Sequence, residues 1–354
     1  MRGKLRIAVL YELSSDNTAP ALGAPVVPRE KHKAKRPAPR KTKRVPKLAR
    51  QQVLDALQKL GHQPFLYSLE GEESLLGLAR CPADLVFNLT ESYAGDDSKD
   101  VHVAAFLDLL EMRYTGSGPH GLHLGQDKAL AKKIIRYHGV RTPSFVVAES
   151  GEFDLSEELS FPVIVKPCSG GGSVGIDAGS VVHGRQEMLE RARLIQDELR
   201  CPALVEQYIE GRELYVGILG NEPPVALPLV ELDLSRLPEG MPHIAGREVK
   251  WATETEAYKV TRSAIATDLD ERVAARAREA ALGAYRALQL RDYARIDLRL
   301  AADGTLYVIE ANPNPWLVVE AEFALAAREA GRSYTELVGK IVEVALARYS
   351  EAGS

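Results

Sequence analysis

Apolar residues come in short runs along this chain, and the spacing inside each run sorts it as strand or helix. Residues 5–11, apolar apart from Arg6, have the length of one strand. Over 47–60 the apolar positions are Leu48, Val53, Leu54, Leu57 and Leu60, one face of a helix that Gly61 stops. Residues 64–69 and 84–88 read as two further strands, 101–110 as a helix, and Tyr114 as the start of a short strand before Gly116-Ser117-Gly118. Strands alternating with helices predict a parallel sheet wound on both faces. Ligands of such sheets gather at the carboxyl ends of strands, where Glu12, residues 88–91 and residues 116–118 fall.

Beyond Gln126 the pattern changes. A helix over 127–138 ends at Gly139, and strands follow at 145–147 and 162–166. A glycine-rich loop, 167–175, leads to a strand over 175–182 and a helix over 188–199. Strands at 203–208 and 213–219 flank Gly211. Residues 294–301 and 306–311 predict a hairpin about Asp303-Gly304, a strong turn signal. Helices over 321–330 and 334–348 close the chain, and there is no internal repeat. The expected division is an α/β domain over 1–120, with an insertion at about 14–46, a central domain over 121–205, and a third over 206–354.

Composition narrows the class. The 354 residues suit two or three domains. No apolar run approaches the ~18 residues of a membrane span, and 5–11 is too short for a signal-peptide core. Three cysteines, Cys81, Cys168 and Cys201, cannot all pair and match no zinc spacing. A reducing cytoplasm is the expected setting. The net charge of −4 conceals an asymmetry: residues 29–50 hold eleven Lys and Arg against Glu30 alone. With four prolines, that stretch reads as a solvated surface insertion that contributes nothing to a core. A basic segment also suits nucleic acid or an acidic partner.

Four segments carry chemistry. The first is the strand ending in Lys166, followed by Pro167, Cys168 and Ser169-Gly170-Gly171-Gly172-Ser173-Val174-Gly175. Glycines let backbone N–H groups close round phosphate oxygens, with a lysine at hand, although the spacing is not that of a P-loop. The second runs from Glu206 through Gln207, Tyr208 and Ile209 to Glu213, whose backbone and acids suit an adenine edge and a ribose. In the third and fourth, strand alternation puts Arg295 with Asp297 on one face, and Glu310 with Asn312 on one face. Two carboxylates and an amide oxygen make an all-oxygen set suited to Mg²⁺.

In this order the segments resemble the ATP-grasp superfamily and, within it, the D-alanine–D-alanine ligase family. The resemblance runs from about residue 53 to 348. It includes Tyr114-Thr115-Gly116-Ser117-Gly118, Asp127-Lys128 and the closing helices. It implies an N-terminal doubly wound sheet followed by central and C-terminal ATP-grasp domains, a mixture of α/β and α+β. It further implies that Lys128 and Lys166 contact the phosphates of ATP, and that Glu206, the 207–209 backbone and Glu213 hold adenine and ribose. By the same resemblance, Ser169, Gly170, Gly171, Gly172 and Ser173 cover the phosphates. Asp297, Glu310 and Asn312 ligate two Mg²⁺ ions, for which Mn²⁺ can substitute. Arg295 stabilises charge on the reacting carbonyl, and Lys250, in a mobile stretch over 246–260, reaches the γ-phosphate. The implied activity is ligation of a carboxylate to an amine through an acyl phosphate, with release of ADP and phosphate, in a homodimer.

Departures from the family pattern fall on substrate positions. The family's loop reads Glu-Gly-Ser-Ser-Val-Gly, whereas here glycine replaces the glutamate and the first serine. Trp251 stands where tyrosine is usual. Residues 313–320 lack the family's Ser-Leu pair, and Glu12-Leu13-Ser14 replaces its Ser-x-Glu. The expected substrate is therefore an amino acid or related small acid. D-alanine–D-alanine ligase of peptidoglycan synthesis is the alternative. A non-catalytic nucleotide-binding protein with a basic recruitment segment is a third reading, disfavoured by the intact Arg295, Asp297, Glu310 and Asn312. Deleting 29–50 is expected to shift the melting temperature only slightly; a loss of many degrees in a thermal scan would show that the segment packs on the body.

Overall fold

The computed structural model describes residues 3–12, 48–149, 152–153 and 159–351. Most of the basic segment, 29–47, lies outside the described residues. Its end does not match the insertion reading: Arg50 belongs to a helix, and its guanidinium lies 4.5 Å from the Tyr11 ring centroid.

Strand β1 (Arg6–Glu12) divides its side chains by parity. Ile7 and Val9 join one core with α1 (Ala49–Lys59), through Val53 and Leu57. Ala8 and Leu10 enter another on the opposite face. β2 (Gln63–Leu69) is followed by α2 (Glu72–Gly77), and β3 (Leu85–Asn88) completes a parallel sheet of order β2-β1-β3. α3 (Asp100–Leu109) covers the second face through Val103, Ala104 and Leu107. The doubly wound reading holds because β1 is apolar at both parities. Tyr114 bridges to Val86 in parallel, as its position suggested.

α4 (Pro119–Gln126) leads to α5 (Lys128–Tyr137), whose N-cap Asp127 accepts from the Leu130 N–H at 2.9 Å. The next sheet is antiparallel, with order β5-β4-β8-β6-β7. Its strands are β4 (Phe145–Glu149), β5 (Glu152–Phe153), β6 (Val163–Pro167), β7 (Val181–Val182) and β8 (Ala203–Gln207), with α6 (Arg185–Leu199) packed on it. The strand expected over 175–182 is only β7. Gly175 has φ +69° and Ser173 φ +62°, so the chain turns there and no strand can continue.

The third sheet has order β12-β11-β9-β13-β14, with β10 beside β9. It comprises β9 (Gly211–Leu219), β10 (Val225–Ala226), β11 (Val230–Asp233), β12 (Arg262–Ile265), β13 (Tyr293–Ala301) and β14 (Leu306–Pro313). The stretch 246–260, expected as a loop, holds α7 (Arg247–Lys250) and α8 (Glu256–Val260). α9 (Glu271–Ala287) seals one face of the sheet with Ala274, Ala277, Ala281 and Ala284 against Leu214, Val216, Ile296 and Leu298. Its signals, an Asp270 cap and alanines three and four apart, are present in the sequence. α10 (Glu322–Glu329) and α11 (Tyr334–Glu351) close the chain, and α11 shares the β1 and α1 core through Leu337 and Ile341.

Fully buried Asp292 ties these parts together. Its φ of +65° is a conformation that Asp tolerates better than most residues. Its carboxylate accepts from Gly116 N at 2.8 Å, Asn221 Nδ2 at 3.0 Å and Arg348 Nη2 at 3.1 Å. Asn314 Oδ1 accepts from Ser117 N at 2.8 Å, and a Cβ on Gly116 would sit 2.2 Å from that oxygen. The 116–118 turn is thus a junction between the first and third sheets. Asp292→Ala, which strands Arg348 and an amide, is expected to cost about 3–5 kcal/mol, measured by urea unfolding.

Candidate active site

The face of the third sheet away from α9 carries the charge. β13 and β14 pair Arg295 with Asn312 and Asp297 with Glu310, so the expected residues sit side by side across two strands. Arg295 holds Asp297 with both arms, Nε to Oδ1 at 2.7 Å and Nη2 to Oδ2 at 2.9 Å. The same guanidinium lies 4.7 Å from the Tyr215 ring centroid and 3.6 Å from Glu322 Oε2. Ser263 Oγ donates to the other Glu322 oxygen at 3.0 Å. Lys250 approaches the Tyr215 ring from α7 to 5.9 Å.

The two paired acids differ. Burial raises the Asp297 carboxyl above its ordinary value despite the Arg295 pair, and its side chain is 2% exposed. Burial pushes Glu310 the same way, but Lys128, Lys166, Lys250 and Arg295 together hold it down to about 2. Glu310 remains 26% exposed, open to the site. Among the described residues no three His, Cys, Asp or Glu side chains gather round one point. The donor set is two carboxylates and an amide. Arg295 occupies only part of the lone-pair capacity of Asp297. These oxygens fit a hard divalent cation.

From the middle sheet, Lys166 reaches Glu206 Oε1 at 2.6 Å, both buried. Lys128 Nζ lies 3.3 Å from Glu310 Oε1 and donates to the Gly170 carbonyl, joining the glycine loop to β14. Ser173 Oγ donates to Ala245 O at 2.8 Å, and Trp251 Nε1 to Gly172 O at 2.6 Å, so the loop rests on the α7 segment. Glu213 is held by Arg299 Nη2 at 2.7 Å and by the Tyr215 hydroxyl at 2.8 Å. Gln207 N donates to Ser144 O, Tyr208 N to Pro162 O, and Ile209 is buried beside them. Lys128, Lys166, Glu206, Lys250, Arg295, Asp297 and Glu310 therefore form one coupled set, with Glu213 at its edge.

The family model described as "D-ala D-ala ligase C-terminus" matches residues 133–343. The D-alanine–D-alanine ligase of Bordetella petrii is 34% identical, over 83% of this chain and 85% of that protein. The chain belongs to the D-alanine–D-alanine ligase family. An uncharacterized protein of Sinorhizobium fredii, y4sG, is 36% identical over 84% of this chain and 87% of its own length. The fold matches the D-alanine–D-alanine ligase of Bacillus anthracis solved in complex with ATP, with TM-score 0.71, 21% identity and coverage of 98% and 99%. The protein is thus a D-alanine–D-alanine ligase-like enzyme, an ATP-grasp ligase that forms an amide-type bond. Among the described residues no helix is long and apolar enough to cross a membrane.

Several residues of the enzyme's charged pocket escaped the sequence reading. Buried Lys132 donates to Ile309 O at 3.0 Å and pairs with Glu206 Oε2 at 2.9 Å, linking α5, β14 and β8. Burial lowers its ammonium to about 8 against the opposing pull of Glu206. Arg299, Tyr215 and Glu322 were also missed. Arg299 and Tyr215 share the parity of Arg295 and Glu213, a signal that strand alternation offered. Because Glu310 is held below its ordinary value of 4.5, its ion pairs stabilise the ligand-free protein fully above about pH 4.5 and are lost toward pH 2. Glu310→Gln is expected to melt below wild type at neutral pH, with the gap shrinking as pH falls from 4.5 to 2 in thermal scans.

Proposed function

We propose that the enzyme joins a small carboxylic acid, an amino acid or a close relative, to an amine through an acyl phosphate. The observation that carries this reading is the Asp297–Glu310 cross-strand pair, surrounded by Lys128, Lys166, Lys250 and Arg295 from four separate elements. A carboxylate is a poor electrophile. Its oxygen takes the γ-phosphoryl group and ADP leaves; the amine then attacks the acyl carbon, phosphate departs and the nitrogen loses a proton. Asp297, Glu310 and Asn312 would hold Mg²⁺, which would offset charge on the phosphates. Lys128 and Lys166 neutralise phosphate oxygens beside the glycine loop, Lys250 does so from α7, and Arg295 faces the oxygen that becomes anionic. The glycine loop resting on the α7 segment keeps water from the acyl phosphate.

A second reading, D-alanine–D-alanine ligation, is favoured by the name of the Bordetella petrii relative. Phosphate release from ATP and Mg²⁺ is to be measured with paired acids and amines, including D-alanine alone, with products read by mass spectrometry. Release that depends on both substrates and yields an amide is the expected result, and D-alanyl-D-alanine as the main product selects the second reading. Glu310→Gln is expected to lower the rate by roughly a hundredfold or more while its circular dichroism stays native. Full activity in that variant removes the ligase assignment for this face of the sheet.

A further inference from the structure

The chain has two tryptophans, and folding brings them together. The ring centroids of Trp251 and Trp316 lie 6.1 Å apart, with the planes inclined by 59°. Trp251 follows Lys250 directly at the end of α7, and Trp316 follows Pro313-Asn314-Pro315, just past the Asn312 end of β14. The pair therefore stands between the two segments that present Lys250 and Asn312, at the rim of the charged pocket.

Its chemistry is one-sided. The Trp251 indole N–H is committed to Gly172 O, and the would-be Cβ of Gly172 is 4.0 Å from the edge of that ring. Trp251 has no other hydrogen-bonding atom, so a ligand meets only its carbon surface. Trp316 is 47% exposed, and its neighbours Pro315, Leu317 and Val318 bring no side-chain donor. A carboxylate against the ring faces of this pair, with the Trp316 N–H as the one indole donor not committed to Gly172, forgoes most of the charge-assisted hydrogen bonds it makes with water. An apolar or aromatic substituent instead sheds water from both surfaces, and indole faces pack well with rings.

We infer that Trp251 and Trp316 form the acceptor wall of the site, selecting an amine with an apolar or aromatic substituent over D-alanine. This rests on the ligase reading for what the wall serves. Trp251 positions the glycine loop through Gly172, while Trp316 supplies the selecting surface. Methylene groups placed in an apolar pocket each discriminate by about ten- to two-hundredfold, so leucine and phenylalanine are expected to bind at least tenfold tighter than D-alanine.

Since the chain has no other tryptophan, its intrinsic emission reports on the wall itself. The full chain, with Mg²⁺ and a non-hydrolysable ATP analogue, is titrated with D-alanine and with leucine and phenylalanine in both hands. The expected result is an emission change at least tenfold lower in concentration for leucine or phenylalanine than for D-alanine. Trp316→Ser is expected to bring the two within about twofold, followed through Trp251, and Trp316→Phe to keep the preference. An equal or tighter response to D-alanine, no response to any amino acid, or an unchanged ratio in Trp316→Ser overturns the wall. Phosphate release with the same amino acids is read separately. Selective binding with no turnover on any acid–amine pair overturns the ligase reading and leaves the wall standing, and turnover that prefers D-alanine does the reverse.

Discussion

Interleaving of buried charge is the constraint on which the rest of this molecule depends. Lys128, Lys132 and Lys166 lie almost out of water beside Glu206 and Glu310, and Arg295 beside Asp297. An unpaired ion there would cost several kcal/mol, so each cation needs a carboxylate within a few ångströms. The carboxylates come from β8, β13 and β14 and the lysines from α5 and β6. Both sheets and the helix between them must therefore dock in one arrangement for the charges to balance. Glu310 is the most exposed of these acids, and the surrounding cations hold its carboxyl below its ordinary value.

The glycine loop is governed by the same logic from the other side. Its backbone accepts from the Lys128 ammonium at Gly170 and from the Trp251 indole at Gly172, and its Ser173 hydroxyl donates to the Ala245 carbonyl. Positive φ at Gly170, Gly172, Ser173 and Gly175 lets it turn repeatedly in a few residues. A loop shaped in this way lies over the charged face without filling it, leaving the rim to the α7 segment and the residues after β14. The chemistry of that rim, two indoles with no free donor on Trp251, differs from the charged floor beneath it.

Asp292 shows how the charged face is fixed to the first sheet. Placed just before β13, it takes hydrogen bonds from the 116–118 turn, from Asn221 and from Arg348. Asn314, just after β14, binds the same turn. The two strands that carry Arg295, Asp297, Glu310 and Asn312 are therefore clamped at adjacent ends. The 116–118 turn, which the sequence placed among strand ends open to ligands, is used for this docking.

Local patterning sufficed for most elements, because parity and helical spacing are set by which face of each element meets apolar surroundings. β1, β2, β3, α3, α5, α6 and the β13–β14 hairpin were all legible, as was the sharing of a face by Arg295 with Asp297 and by Glu310 with Asn312. The strand alternation could also have flagged Arg299 and Tyr215, and the alanine spacing of 274–284 could have flagged α9. What the sequence could not determine is which ions meet. The pairing of Lys132 with Glu206 and Ile309, of Glu213 with Arg299, and of Trp251 with Trp316 joins residues far apart in the chain. Strand pairing within the third sheet sets Glu213 against Arg299, and the packing of α5 between the second and third sheets sets Lys132 against Glu206 and Ile309; charge balance and ring packing act through space and leave no period in the sequence.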